Sequence, residues 1–258
     1  DDVAYDVLDF YEKDDLLGAL EALKDYSRAD IEASFEELKS LEEEGTLLSE
    51  DIFPQSQTFK GRNPVVKAMC LHMAHDCNLK CKYCFAGQGE FNGPKELMSF
   101  EVGKKAIDYL IKNSKNRRNL EIDFFGGEPL MNFEVVKELV EYGNSEAQKY
   151  NKNFRFTITT NGILLDDAKI DYINAHMYNV VLSLDGRKEI NDAMRPTEND
   201  KGSYDIIVPK FQKLVEDRGD KYYYIRGTFT RNNLDFGKDV LHFKDMGFDM
   251  TSMEVEAS

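Results

Sequence analysis

The sequence predicts an α/β fold: six strand–helix units in series, three quarters of a parallel barrel, preceded by a small helical domain. Three observations carry this. From Val65 onward, short runs rich in β-branched and aromatic residues alternate with stretches of helical apolar period, the pattern of successive βα units. Candidate turn and ligand motifs recur just after those runs. The acidic excess is confined to the opening of the chain: of a net charge of −15, residues 1–51 hold −14, from 18 acids against 4 bases.

That charge step marks a boundary, and the first part, 1–51, reads as three short helices and a wing. Val3, Ala4, Val7, Leu8 and Phe10–Tyr11 recur at helical spacing, as do Leu16, Leu17, Ala19, Leu20 and Leu23. Ser27 opens a capping-box-like start, with Asp30 favouring the helix N-terminus. The third helix, about 28–44, is expected to face inward with Ile31, Phe35, Leu38 and Leu41 and to end at Gly45. Thr46–Leu47–Leu48–Ser49 reads as one strand of the wing. Together these make a winged-helix-like domain. Its usual partner, duplex DNA, is excluded by charge, because the third helix carries Asp30, Glu32, Glu36, Glu37, Glu42, Glu43 and Glu44 against Arg28 and Lys39. Phosphates are met by Lys and Arg, not by carboxylates. Peptide recognition at a sheet edge suits the charge better. A solvated acidic cap is the bland alternative.

Residues 52–64 have the turn residues and polarity of a linker. The barrel, 65–258, has strands expected at 65–73, 121–125, 154–159, 178–184, 222–230 and 251–256. Helices are expected near 100–112, 132–149, 165–175, 204–217 and 235–246. A series of such units implies a parallel sheet with its chemistry at the C-terminal ends of the strands.

Composition narrows the setting. A hydrophobic fraction of 41% supports a packed core, and no apolar run reaches the length of about 18 residues that a membrane span needs. A cytoplasmic chain without membrane or nucleic-acid partners is expected. Three of the four cysteines lie in one eight-residue window, which argues for metal ligation rather than a secreted disulfide framework. The fourth, Cys70, stands in an apolar run and is expected to be an ordinary buried thiol.

Cys77, Cys81 and Cys84, spaced C-x3-C-x2-C, follow the first strand. A structural zinc site closes its tetrahedron with four ligands. Three thiolates on a four-iron, four-sulfur cube leave one iron open for a small molecule. Gly126–Gly127–Glu128 closes the second strand, Thr159–Thr160–Asn161–Gly162 the third and Ser183–Leu184–Asp185–Gly186 the fourth, while Arg226 lies in the fifth. Any one of these alone is ordinary turn chemistry. Their agreement in order is the signal.

With Tyr83 inside the triplet and Gly–Gly–Glu–Pro downstream, the chain resembles the radical S-adenosylmethionine (SAM) enzymes over roughly residues 65–256. The resemblance implies a [4Fe-4S] cluster on Cys77, Cys81 and Cys84, with SAM chelating the open iron. Gly126 and Gly127 admit close backbone approach, and their carbonyls or the Glu128 carboxylate accept from the SAM amine. Ser183 and Arg226 suit its ribose or carboxylate, Asn161 belongs to the same site, and Tyr83 and Phe85 pack near the adenine. Phe85 reads nearly as well as a core aromatic. Arg195, in Met194–Arg195–Pro196, is a weaker candidate for the site and reads better as a surface or loop residue. In that family the reduced cluster cleaves SAM to methionine and a 5′-deoxyadenosyl radical, which abstracts a substrate hydrogen.

The wording of the motifs resembles the SPASM branch. With the acidic winged-helix part it resembles the six-cysteine (SCIFF) ranthipeptide maturases, which form thioether crosslinks. That implies a leader-bearing precursor peptide, a flavodoxin- or ferredoxin-type electron donor and an anaerobic cytoplasm. Two features of such enzymes fall outside this sequence, the N-terminal strands of the recognition element and a C-terminal domain with auxiliary [4Fe-4S] clusters. A fragment of a longer protein is therefore expected. Carbon–carbon crosslinking and formylglycine formation are the near alternatives. A zinc-binding winged-helix regulator, with His72 or His75 completing a Cys3His site, is the alternative of another class.

Overall fold

The computed structural model describes residues 2–47 and 65–255. Contacts divide the chain into two compact units, Asp1–Asn63 and Pro64–Ser258.

The first unit packs α1 (Asp2–Tyr11), α2 (Leu16–Ala22) and α3 (Arg28–Glu43) around Val7, Ala19, Ile31, Phe35 and Leu38. Ser27 caps α3, its Oγ accepting from the Asp30 N–H at 3.2 Å, and Gly45 takes the left-handed conformation (φ +73°) beyond the last turn. Two expectations are corrected. Leu17 and Leu41 are 74% and 36% exposed. Leu41 lies in the last turns of α3, which at 16 residues outruns the 10 of α1 and 7 of α2. No strand occurs among the described residues of this unit. Instead the N–H groups of Thr46 and Leu47 fold back onto the Leu41 carbonyl at 2.9 and 3.0 Å. Leu48, Ser49 and the linker 52–64 lie outside the described residues.

The second unit alternates strands and helices. In order these are β1 (Ala68–Ala74), α4 (Phe100–Asn113), β2 (Asn119–Gly126), a 3-10 turn (Pro129–Asn132), α5 (Phe133–Tyr150), β3 (Asn153–Thr160), α6 (Asp167–His176), β4 (Asn179–Ser183), α7 (Lys188–Met194), α8 (Tyr204–Arg218), β5 (Tyr223–Phe229), α9 (Gly237–Asp245) and β6 (Thr251–Val255). All strand pairs are parallel, in the order β1 to β6. This is the expected α/β architecture.

Alternation along the strands sorts the two faces. Ile122, Phe124, Phe156, Ile158, Val180, Leu182 and Ile225 are buried in one cluster with Ile107 and Leu110 of α4, Val136 and Leu139 of α5, and Phe211 and Leu214 of α8. Each such side chain contributes about 1.5–3 kcal/mol by leaving water. The intervening residues, Cys70, Asp123, Thr157 and Arg226 among them, give the opposite face a polar character. That parity corrects the expectation for Cys70, which is exposed. Leu71 and Met73 take the core side of β1, so Cys70 is left on the other. A second difference is α7, which no apolar period announces: only Asn191 and Met194 of its seven residues are buried. Among the described residues no helix is long and apolar enough to cross a membrane.

Candidate active site

Parallel strands end together, so the loops after β1, β2, β3 and β4 converge. The register of β1 on β2 shifts between His72 and Ala74, and beyond it the chain is stapled to the glycine motif. Gly127 N–H donates to the Ala74 carbonyl at 2.8 Å and Glu128 N–H to the Asp76 carbonyl at 2.9 Å. Gly126 has φ +119°, a conformation closed to ordinary side chains. The cysteine loop therefore rests directly on the end of β2.

One cavity results, about 900 Å³ including its mouth, and all ten residues expected in a site line it: Cys77, Cys81, Cys84, Tyr83, Gly126, Gly127, Glu128, Asn161, Ser183 and Arg226. Ser183 and Arg226 are register partners on β4 and β5. The Arg226 guanidinium is ion-paired with Glu254 of β6, and both line the cavity.

Glu128 has a structural part beyond the one expected. Its carboxylate is 1% exposed and accepts from three of the chain's own donors: Leu130 N–H (3.0 Å), the Thr160 hydroxyl (2.7 Å) and Asn161 N–H (2.8 Å). Burial raises its pKa, and the three donors oppose that rise. Glu128 is thus a latch between the ends of β2 and β3. A carboxylate has about four acceptor sites, so three donors leave room for one more, and Glu128 lines the cavity beside Gly126 and Gly127.

Asn161 stands beside Cys77. Its Nδ2 lies 3.6 Å from Cys77 Sγ and 2.8 Å from Asn78 Oδ1, while its own Oδ1 accepts from Ile163 N–H at 3.1 Å. Burial pushes the Cys77 thiol up to about 12, with the Glu128 carboxylate adding to the rise, and burial also raises Cys81. Desolvation thus favours the neutral thiol at both of these partly buried cysteines.

Both aromatics expected near the adenine, Tyr83 and Phe85, line the cavity, and only the core alternative for Phe85 is set aside. Phe85 is 74% exposed and meets Phe91 edge-on at 6.1 Å, so it is a rim residue and not core. Tyr83 is engaged through its hydroxyl, which donates to Asp185 at 2.9 Å and accepts from Arg195 at 2.6 Å. Arg195 is buried, not at the surface. The sequence did not disclose Asp185 as a buried partner or the part of Thr160, and Arg195 was only a weaker candidate there. The Ser–Leu–Asp–Gly motif was the available pointer to Asp185; the burial of Arg195 had none while α7 went unrecognised.

Asp123 was also missed. It lies one two-residue step before Phe125 on β2, directly opposite Cys70, and accepts weakly from the Thr159 hydroxyl at 3.4 Å. Burial raises its carboxyl to about 6, against the lowering effects of Thr159 and Arg226. Between about pH 4 and 6 the folded chain therefore holds a proton that the unfolded chain has released, and stability falls as pH rises through that window. Asp123→Asn should remove about 2 kcal/mol of the stability difference between pH 4.5 and pH 7. Urea unfolding at the two values checks this, and identical slopes in parent and variant would refute it.

The donor set fits an iron–sulfur cluster better than a single ion. Among the described residues no three His, Cys, Asp or Glu side chains converge tightly enough to enclose one ion. Sulfurs at about 2.3 Å from a single tetrahedral zinc would have to lie close together. A cube puts each thiolate on a different iron and spaces them further apart. His72 stacks on Phe91 at 4.4 Å between ring centres, His75 meets the same ring tilted at 5.0 Å, and neither lines the cavity. The cavity floor is also cut close: a Cβ on Gly127 would lie 2.0 Å from the Asp76 carbonyl oxygen.

A parallel α/β sheet with a three-cysteine cavity at its C-terminal ends defines a class of cluster-binding domain, and comparison with known proteins gives the family. The model of the 4Fe-4S single cluster domain matches residues 66–208, more than half of the chain. The chain belongs to that family, within the radical SAM superfamily, whose cofactors are a [4Fe-4S] cluster and SAM. It is 38% identical over 138 residues to an uncharacterised protein of Methanocaldococcus jannaschii, covering 54% of this chain and 45% of that protein. It is 31% identical over 145 residues to the cysteine-type anaerobic sulfatase-maturating enzyme of Clostridium novyi, covering 54% and 37%. To the radical SAM cyclopropyl synthase TigE of Paramaledivibacter caminithermalis it is 25% identical over 191 residues, covering 69% and 39%. The chain thus spans less than half the length of these relatives. The solved structure of anSMEcpe with bound AdoMet has the same fold, with a TM-score of 0.66 at 22% identity over 76% of this chain and 52% of that one.

Proposed function

We propose that the chain is the radical-generating part of a peptide maturase that forms Cys-sulfur-to-carbon thioether crosslinks on a leader-bearing ribosomal peptide. One observation carries this reading: the three cysteines, Gly126–Gly127, Asn161, Ser183 and Arg226 line a single cavity at the ends of parallel strands. When bound, the cluster and SAM supply reductive cleavage of the C5′–S bond and a 5′-deoxyadenosyl radical that takes a substrate hydrogen. The chain's own residues hold and orient. Cys77, Cys81 and Cys84 are the cluster ligands, with the Asn161 amide beside the first of them. The carbonyls of Gly126 and Gly127 receive the amine of SAM, and Arg226 and Ser183 its carboxylate or ribose. Glu128 fixes the glycine turn from behind.

The leader peptide belongs to the first unit. There a groove has an apolar floor of Tyr11 and Phe35 and an acidic rim including Glu12, Glu32, Glu36 and Glu42. Such a rim welcomes basic side chains and makes binding salt-sensitive. A flavodoxin- or ferredoxin-type protein is the expected electron donor.

The test is anaerobic turnover with a leader-bearing, cysteine-containing peptide. The expected products are 5′-deoxyadenosine and peptide lighter by two hydrogens for each crosslink. Peptide of unchanged mass alongside SAM cleavage would sink the thioether assignment. The sulfatase-maturating relatives favour a second outcome, formylglycine on a protein substrate. It is distinguished by an aldehyde in the product.

A further inference from the structure

Arg195 is an unusual residue to find beside a site built to hold thiolates. The cysteine loop runs antiparallel to the segment that carries it: Lys80 N–H donates to the Pro196 carbonyl at 2.8 Å, Lys82 N–H to the Met194 carbonyl at 2.9 Å, and Leu79 bridges to Thr197. Cys81 is thereby set between two backbone bonds to the chain that flanks Arg195. The guanidinium is 7% exposed. One of its nitrogens donates to the Tyr83 hydroxyl at 2.6 Å, and the same nitrogen lies 3.9 Å from Asp185. Asp185, fully buried, also accepts from Tyr83 and from Thr228 N–H, at 2.9 and 3.1 Å. Arg195 Nε is buried and has no hydrogen-bond partner among the described residues.

A charge this deep has a strong desolvation penalty, so its place wants an explanation. Asp185 answers part of the charge. Toward the cysteines the positive member is the one presented: Arg195 lines the same cavity as Cys77, Cys81 and Cys84, and Asp185 is not among the residues lining it. A buried donor without an acceptor, beside three thiols, matches an anion that arrives with the bound group.

We propose that Arg195, clamped by Tyr83 and Asp185, is the resident counter-charge of the three-cysteine site and raises the reduction potential of the cluster held there. This rests on the cluster reading above. An iron–sulfur cluster gains negative charge on reduction, so a fixed cation a short distance away in a low-dielectric site favours the reduced form. A guanidinium suits the role because it stays protonated. Tyr83 and Asp185 act as positioning residues, and Asp185 also moderates the effect by its opposite sign.

The experiment is a redox titration followed by EPR on anaerobically reconstituted protein, first without SAM and then with it. Arg195→Gln is expected to shift the midpoint potential downward, Asp185→Asn to shift it upward, and Arg195→Lys to stay close to the parent. The opposed signs keep the test readable if one variant fails to fold. A loaded cluster whose potential is unmoved in Arg195→Gln, or moved downward in Asp185→Asn, overturns the proposal. So does a shift that appears only with SAM, since the charge would then answer the carboxylate of SAM rather than the cluster. Absence of any four-iron signal in the parent would instead bring down the cluster reading itself.

Discussion

Glu128→Ala is expected to cost about 3–5 kcal/mol of stability, the range for removing one partner from a buried charged network. The carboxylate accepts from two backbone N–H groups and a hydroxyl that lie on different segments: Leu130 in the 3-10 turn, and Thr160 and Asn161 at the end of β3. Truncation leaves three buried donors unmet, each costing about 1–3 kcal/mol, against which stands the relief of no longer burying a charge. Glu128→Gln separates shape from charge. One amide oxygen can keep the bonds from Leu130 and Thr160, but the NH2 then faces the Asn161 N–H, donor against donor. We expect a smaller loss, about 1–3 kcal/mol. Urea denaturation measures both, and equal stability of the Ala variant and the parent would show that Glu128 is no latch. Because Asn161 also reaches Cys77, the Ala variant should hold iron less well.

Gly127→Ala acts on the same junction from the other side. The added methyl would stand 2.0 Å from the Asp76 carbonyl oxygen and 3.1 Å from the Cα of Gly89. These are backbone atoms, so no side chain can swing aside. Either the Asp76–Cys77 segment or the end of β2 must move, breaking the bond from Glu128 N–H to the Asp76 carbonyl (2.9 Å). We expect a loss of about 2–4 kcal/mol, in the overpacking range and above, and iron retention reduced at least several-fold. Gly237→Ala is the control, since nothing lies within 4 Å of a Cβ there. It should leave stability within about 0.5 kcal/mol of the parent. Equal iron content in Gly127→Ala and Gly237→Ala would contradict this account of the junction.

What the sequence disclosed, and what it withheld, has a physical pattern. The strands announced themselves because a sheet with one face against helices alternates: Leu120, Ile122 and Phe124 point one way and Glu121, Asp123 and Phe125 the other. The motif residues were visible because their chemistry is local, three thiols within eight residues and glycines where the chain must turn. Three kinds of fact were hidden. The side of the sheet on which a residue falls depends on one-residue parity, which is why Cys70 was placed in the core. The partner of a buried polar group lies far along the chain: Tyr83 and Asp185 are 102 residues apart, and Tyr83 and Arg195 are 112. And α7, polar along most of its length, has no apolar period by which to be found. Arg195 was misjudged for that reason, and the core alternative for Phe85 stayed open because an aromatic beside a cysteine motif says nothing about which way it faces.

The central claim is that Cys77, Cys81 and Cys84 hold a four-iron cluster with one iron open to SAM. EPR of anaerobically reconstituted, dithionite-reduced protein, recorded with and without SAM, tests it most directly. The account predicts a [4Fe-4S] signal that changes when SAM is added and is absent when all three cysteines are replaced by Ala. A signal indifferent to SAM, or no cluster at all with tightly bound zinc in its place, would contradict it.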